Sequence, residues 1–510
     1  MGRLLLTVTI LAWAVPISML VNRIVTDPYM DEIFHAPQAQ RYCKGDFKTW
    51  DPMITTLPGL YYVSLAYVAP LFPWVQWAGI VSSFQDLCST AILRSVNIAL
   101  AVICCLLFHD ILIELRPNAY TKYATRWAFV FSLYPLHWFF TFLFYTDVGS
   151  TTAVMAMYLA CLKRSYWLSA LLGCLAIIFR QTNVVWMAFV ACIGVVQYTE
   201  KFGGEYTVAM KNNILFNPLS ETSDGNSKAV HTYLRHRQNV NSKKIASNTL
   251  SDENLHHTRS KYSGVVGELH VLAYNLWWQK WGILTNFFPF LLVLMAFSAF
   301  VIYNGSIVVG AKDAHAVSPH FAQILYFGLA SAVALAPLHF NIDQAVALHQ
   351  SFMKGRTRFI ICCLLSLVAG FVCVRFFSLV HPYLLADNRH YPFYIWRRVI
   401  QTHWLMKYLL IPLYVYSWWS IFHVLGKAQK KIWLFLFFFA AVGVLVPAPL
   451  IEFRYYTIPF YLIILHSPVK ERTWILIGMQ YIIVNLATMS LFLFRPFHWD
   501  HESGTQRFIW

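Results

Sequence analysis

The sequence predicts an all-α protein that crosses a lipid bilayer many times, and three observations carry that prediction. Only 12% of its 510 residues are charged and 58% are hydrophobic, whereas soluble domains carry about 25% charged residues. Apolar runs such as 283–302, 359–379, 431–450 and 474–494 are each long enough to cross about 30 Å of hydrocarbon at about 1.5 Å per residue. Aromatic residues make up 17% of the chain. Many stand where apolar runs end, among them Trp138, Trp186, Trp277, Trp278 and Trp418, as residues of a membrane–water interface do.

Taken in order, the apolar runs place spans near 4–25, 58–80, 91–113, 126–145, 147–162, 166–180, 184–199, 283–303, 320–338, 359–380, 406–426, 431–450, 457–468 and 473–494. Roughly 12 to 14 crossings follow. The first run is long and has no clear small-residue cleavage site, so it reads as a retained span and not a leader. Residues 200–280 differ from the rest. They are polar, rich in Asn, Ser, Lys and His, and lack helical apolar periodicity over most of their length, which marks a mobile or partly disordered loop. The chain thus divides into an N-terminal membrane module (1–199), a polar loop (200–280) and a C-terminal membrane module (281–510).

Positive charge assigns the sides. Lys163 and Arg164, the 200–280 loop, Lys354 with Arg356 and Arg358, Lys427 with Lys430 and Lys431, and Lys470 with Arg472 recur at every second loop and are expected in the cytosol. The intervening segments then share the opposite side: Tyr145-Thr146-Asp147, residues 180–183, 304–319, 381–400 and 452–456, together with the loop 26–57. One conflict remains, because the basic 113–126 segment asks for the cytosol while two runs separate it from the first loop. Pro58, Pro70 and Pro73 make 58–80 the run expected to be broken or re-entrant.

The net charge of +16 is dispersed over loops, not gathered on one face, so it reads as a topology signal and not as a nucleic-acid surface. Most of the ten cysteines, including Cys104, Cys105, Cys362 and Cys363, lie inside apolar runs without metal or redox spacing and read as small packing residues. Asn304-Gly305-Ser306 is the one glycosylation acceptor pattern, and it falls on the side opposite the cytosol.

Chemistry is concentrated on that side. After the first span come Asp31 and Glu32, then His35, Gln38, Trp50 and Asp51. In a helix, Asp31, His35 and Gln38 would share one face. Adjacent carboxylates at a bilayer surface suit general-base work, with a solvated loop or a helix cap as the rival reading. Asp147 is a second candidate carboxylate, for sugar hydroxyls or for capping the helix that follows. Arginines supply the complementary half: Arg180 beside Gln181 and Asn183; Arg389 and Arg397 near His381, Asp387, Asn388 and His390; Arg454 beside Glu452. Guanidinium groups offer paired donors to a leaving phosphate, although each also suits an ion pair or snorkelling. No Gly-rich phosphate loop, metal-ligand set or Gly-x-Ser-x-Gly turn is present, so nucleotide-sugar and serine-hydrolase chemistry find no support. A transporter would instead place isolated charges deep in its helices and show paired broken repeats.

The stretch YMDEIFHAPQAQRYCKGDFKTWDPMITTLPGLYY at 29–62 resembles the dolichyl-phosphate-glucose-dependent α-1,2-glucosyltransferases of the endoplasmic reticulum. Agreement continues through YTD at 145–147, FRQTNVVW at 179–186, NGSIVVG at 304–310, HPYLLADNRHYPFYIWRR at 381–398, EFRYY at 452–456 and QRFIW at 506–510. Ala311 departs from it, standing where the family pattern has an acidic residue. The resemblance implies a C-type glycosyltransferase architecture with lumenal active-site loops in the endoplasmic reticulum membrane and no cofactor or metal. It also implies a dolichyl phosphate glucose donor and a diglucosylated dolichyl-diphosphate oligosaccharide acceptor. A β-linked donor giving an α-linked product implies inversion, with Asp31 as base, Glu32 sharing that role, and Arg180, Arg389 and Arg454 as candidates for the donor phosphate. A dolichyl-phosphate-mannose user of the same architecture is the enzyme rival.

Overall fold

The structure, a computed structural model, describes residues 2–79, 81–117, 121–216, 265–313, 316–500 and 502–510. The chain is an all-α, multi-pass membrane protein. Among the described residues, seven helices are long and apolar enough to cross a membrane: Gly2–Ile24, Thr90–Leu115, Asn183–Glu200, Lys280–Asn304, Arg356–Phe376, Met406–Leu425 and Glu471–Phe494. The other apolar runs fold into shorter helices, including Tyr166–Phe179, Ala322–Ala334 and Lys431–Leu445. Thr146–Leu162 is nearly all buried, so protein and not lipid surrounds it. Counting apolar runs therefore reaches a larger number than counting helices that could each span alone.

The run at 58–80 is broken. It forms Gly59–Val68 and Phe72–Trp77, of 10 and 6 residues, each well short of the roughly 20 residues that a crossing needs. The two ends of this region are joined covalently by a Cys43–Cys88 disulfide. These two cysteines depart from the packing role expected of most of them; the thiols at Cys104, Cys105 and Cys161 are free and buried.

Residues 1–194 and 284–510 form one compact unit and residues 195–283 a second. In the second unit, 195–216 continue a helix and Val265–Trp278 form another, although little helical periodicity was expected there. The remainder of the polar loop, 217–264, lies outside the described residues.

In the first unit, Thr146–Leu162 and Tyr166–Phe179 pair as a helical hairpin, and Thr90–Leu115 packs across the first of them. A second group is built from Ala322–Ala334, Ile411–Leu425 and Arg356–Phe376, while Glu471–Phe494 packs against Pro135–Phe140 and Thr121–Ser132. The strands Phe497–Trp499 and Glu502–Gln506 form a small antiparallel hairpin.

Loops 52–55 and 309–311 are laced together: the Val309 N–H donates to the Thr55 carbonyl at 3.1 Å and the Ala311 N–H to that of Pro52 at 3.0 Å. The approach needs glycine at 310, where a Cβ would collide with the Pro52 carbonyl oxygen. Ala311 itself takes a left-handed φ of 44°, a conformation that side chains other than glycine rarely adopt. This lacing steadies Ile54 and Thr55, which line the cavity described next.

Candidate active site

The first loop places its acids by a change of backbone direction. Met30 has a φ of 56°, and Asp31 then caps the helix Glu32–Cys43, its carbonyl accepting the His35 N–H at 3.0 Å. The Asp31 N–H donates to the Tyr145 hydroxyl at 3.1 Å. Two adjacent carboxylates are thereby sent to opposite fates.

Glu32 is fully buried and meets the equally buried Arg94 in a two-point ion pair, at 2.9 Å from Nε and 2.7 Å from Nη2. Its oxygens also accept the backbone N–H groups of Tyr29 at 3.0 Å and Phe144 at 2.6 Å. Arg94 spends its remaining donors on Asn22, the Val25 carbonyl and the Asp27 carbonyl. Glu32 therefore does not fit the expectation that it shares the base role with Asp31. It is the centre of a knot joining the C-terminal end of the first helix, the first loop, the helix Thr90–Leu115 and residue 144.

Asp31 instead lines a polar cavity of about 280 Å³ together with His35, Thr55, Thr56, Arg180, Asp387, His390, Glu452, Arg454 and Trp510. Its side chain keeps 40% of its surface accessible, and one oxygen lies 2.7 Å from Arg454 Nη1. Arg454 also meets Glu452 at 2.8 Å and, at 3.8 Å, Asp147. Arg180 closes the network with two contacts of 3.1 Å to Asp147 and one of 3.0 Å to the Thr146 hydroxyl. Three carboxylates thus share two guanidinium groups. Arg454 stacks against Phe140 and Tyr145, and Arg180 against Tyr455, which holds the planar groups in register.

Burial by itself pushes the Asp31 carboxyl up, but the charge and hydrogen bond of Arg454 outweigh it and hold the group below the usual carboxylate range. His35 is pushed down to about 4, first by burial and further by Arg454 and Arg180, against the pull of Asp31. It is neutral near pH 7 and bonded to the Tyr61 hydroxyl at 2.7 Å. Asp387 is raised by burial and lowered more by its bonds with Arg389.

Other residues named from sequence lie around the cavity and not among those that line it. Gln38 accepts the Asp51 N–H and donates to the Thr49 carbonyl, Trp50 Nε1 reaches the Ile54 carbonyl, and Asp51 accepts the Met53 N–H. These bonds shape the 49–54 turn. Gln181 donates to the Thr55 carbonyl, and Asn183 to the Ser150 hydroxyl and the Ala176 carbonyl. His381 accepts the Tyr383 N–H, Asn388 accepts the Trp499 indole N–H, and Arg397 lies over the Phe393 ring. Arg389 is bound to Asp387, which lines the cavity, and to Gln506, and it stacks on Trp499 without lining the cavity itself. Sequence reasoning missed Tyr145, Tyr455, Thr56, Trp510 and Arg94. Thr56, Tyr145, Tyr455 and Trp510 stood inside the family-like segments, and Arg94 was a charge inside an apolar run.

A second cavity of about 380 Å³ is almost wholly apolar, lined by Tyr326, Leu329, Trp396, Ile400, Tyr414, Tyr481 and others. It shares Pro392, Ile451 and Trp510 with the polar cavity. A charged chamber and a greasy one therefore have a common wall.

A family model described as the DIE2/ALG10 family matches residues 25–465, a range that contains Asp31, Asp147, Arg180, Glu452 and Arg454. The chain belongs to the DIE2/ALG10 family. A relative in Arabidopsis thaliana is 52% identical, covering the whole of both chains; one in Mus musculus is 35% identical over 96% of this chain and 94% of its own; one in Homo sapiens is 33% identical with the same coverage. Each is named Dol-P-Glc:Glc(2)Man(9)GlcNAc(2)-PP-Dol alpha-1,2-glucosyltransferase. No solved structure matches the chain. The segment 506–510, which brings Trp510 to both cavities, lies beyond the range of the DIE2/ALG10 model.

The acceptor pattern at Asn304 meets an obstacle in this member of the family. The side-chain nitrogen that would carry a glycan donates both its protons, to the Ser306 carbonyl at 2.8 Å and the Val308 carbonyl at 2.7 Å. Attachment would sacrifice one of the bonds that fold the loop. We expect Asn304→Gln to leave the electrophoretic mobility of the membrane-expressed protein unchanged; a downward shift equal to that produced by an endoglycosidase would show that the site is used.

Proposed function

We propose that this chain moves glucose from dolichyl phosphate glucose to a diglucosylated dolichyl-diphosphate oligosaccharide, forming an α-1,2 linkage with inversion at the transferred carbon. The observation that carries the reading is the polar cavity, in which an accessible carboxylate, Asp31, is held by a guanidinium group and walled by an apolar chamber. The names of relatives covering the full chain supply donor and acceptor.

In this mechanism the acceptor hydroxyl oxygen attacks the glucose carbon that bears the phosphate. The bond from that carbon to the phosphate oxygen breaks, the phosphate leaves with the electron pair as dolichyl phosphate, and Asp31 takes the hydroxyl proton. A single displacement with a base on one face and a leaving group on the other inverts the centre, as in inverting glycosidases.

The electrostatics add an ordering step. A carboxylate bonded to Arg454 is a poor base, and an arginine shared by carboxylates is a poor phosphate site. Arrival of the donor phosphate resolves both, because the phosphate draws Arg454 and Arg180 toward the charge that develops as its bond breaks and so releases Asp31. Glu452 and Asp147 then keep the two guanidinium groups in place. The apolar chamber takes the polyisoprenyl end of a lipid substrate.

A pH profile follows with a definite sign. Asp31 works ionised, and its carboxyl is held below the usual carboxylate range, so kcat/KM falls only as pH drops through that depressed value, on the acid side of an ordinary carboxylate. His35, pushed down to about 4, adds no limb between about pH 5 and 8. In Arg454→Gln the burial effect prevails, the Asp31 carboxyl rises, and the acid limb moves toward neutrality. An unmoved limb would disconnect the pair.

We place the site on the lumenal side of the endoplasmic reticulum membrane, with 200–280 in the cytosol. The Cys43–Cys88 disulfide, which needs an oxidising compartment, lies in the same stretch as Asp31, and lysine and arginine mark the alternate loops. The reading is tested by offering the purified protein dolichyl phosphate glucose or dolichyl phosphate mannose with the diglucosylated acceptor. Transfer of glucose alone is expected; transfer of mannose at an equal rate would move the chain to a different donor.

A further inference from the structure

Resting on that reading, we infer that Trp510 is a substrate-binding residue whose indole N–H holds the phosphate of a lipid-phosphate substrate at the border between the two cavities. The segment that carries it is pinned at many points. The Arg507 N–H donates to the Tyr29 hydroxyl, which donates in turn to the Arg507 carbonyl, both at 2.7 Å. The Arg507 guanidinium group donates to the Phe492 and Leu493 carbonyls, each at 2.9 Å. The Ile509 N–H donates to the Arg389 carbonyl at 2.9 Å, and the Tyr391 N–H to that of Ile509 at 3.1 Å. His390 Nδ1 lies 3.2 Å from the Trp510 carbonyl oxygen, and the rings of Tyr391 and Phe453 flank the indole.

All this fixes a residue whose own polar atom is left without use. Trp510 Nε1 is shielded from solvent and has no hydrogen-bond partner among the described residues, although a buried indole N–H ordinarily finds an acceptor. The indole nitrogens of Trp13, Trp396, Trp433 and Trp474 share that condition, and of these five tryptophans Trp510 alone lines both cavities. Of the three residues shared by both cavity walls, Pro392 and Ile451 offer no side-chain donor, and Trp510 offers one. A molecule with a polyisoprenyl tail in the apolar chamber and a sugar beside Asp31 has its phosphate at that wall. An indole N–H is a donor without charge, so it would add to Arg180 and Arg454 without competing for their carboxylates.

Trp510→Phe keeps an aromatic ring and removes the N–H. We expect it to raise KM for one lipid substrate by roughly 10- to 100-fold, the loss of a hydrogen bond to a charged group, with kcat within about twofold. The donor KM rises if the phosphate is the donor's; the acceptor KM rises if it is the diphosphate of the acceptor. Without ligand, the melting temperature stays level or increases, since an unpartnered buried donor has been removed; a purely structural tryptophan would lower it. Two readouts are independent of glucose transfer. Binding of a short polyprenyl phosphate, followed by thermal shift, weakens in the variant even if wild type proves inactive as a glucosyltransferase. On the wild-type protein, a polyprenyl phosphate with a diazirine next to its phosphate labels the peptide containing Trp510. Unchanged KM for both substrates, or labelling confined to other peptides, would overturn the assignment.

Discussion

Replacing Asp31 by Asn is expected to lower kcat by about 10²–10⁴-fold, the range of a lost general base, with the protein still folded. The amide keeps the shape of the side chain and its place at the head of the helix Glu32–Cys43, whose capping uses the Asp31 backbone carbonyl. Arg454 retains Glu452 at 2.8 Å and Asp147 nearby, so no buried cation is stranded. KM for the donor should move little or fall, because a competitor for Arg454 has gone. Kinetics of the purified variant beside its melting curve separate the two effects, and a kcat within about tenfold of wild type would assign the proton to another group.

The second large effect is on stability. Arg94→Met should destabilise the fold by about 3–5 kcal/mol, because it leaves the Glu32 carboxylate buried without its cation. Glu32→Gln should act in the same direction by stranding Arg94. The double variant Arg94→Met with Glu32→Gln should lose less than the sum of the single losses, as expected for residues in direct contact. Apparent melting temperatures of detergent-purified protein report this. Because Glu32 adjoins Asp31, whatever folded fraction of the single variants remains should also show a disordered base. Single variants as stable as wild type would mean that the knot carries no weight.

How much of this could be read from the chain alone depends on the distance over which each residue acts. Asp31, Arg180, Glu452 and Arg454 stand at the ends of apolar runs, and alternating basic loops put those ends on one face, so their meeting in one cavity was legible. Which carboxylate lies open was not. Asp31 and Glu32 are adjacent, and their separation is decided by Arg94, 62 residues on from Glu32 and inside an apolar helix. Gln38, Trp50 and Asp51 were candidate site residues because they follow the acids of the first loop; their hydrogen bonds shape one turn.

The break at 58–80 was legible from its prolines, since they remove backbone donors. The Cys43–Cys88 link was not, because spacing alone does not pair cysteines. Helix lengths were the weakest inference. An apolar run signals burial, but hydropathy does not say whether lipid or a neighbouring helix does the burying, and Thr146–Leu162 is apolar for the second reason. Trp510 stood in the family-like segment at 506–510, but a role for one tryptophan among 19 emerges only when the fold brings it to the common wall of two cavities.

The decisive measurement is the anomeric configuration of the product formed by the purified chain from β-linked dolichyl phosphate glucose and the diglucosylated lipid-linked acceptor. A single displacement in the Asp31 cavity predicts a new terminal glucose in α-1,2 linkage. A product with retained β configuration would require a covalent intermediate that this cavity does not explain, and no transfer by folded protein supplied with both lipids would contradict the proposed activity itself.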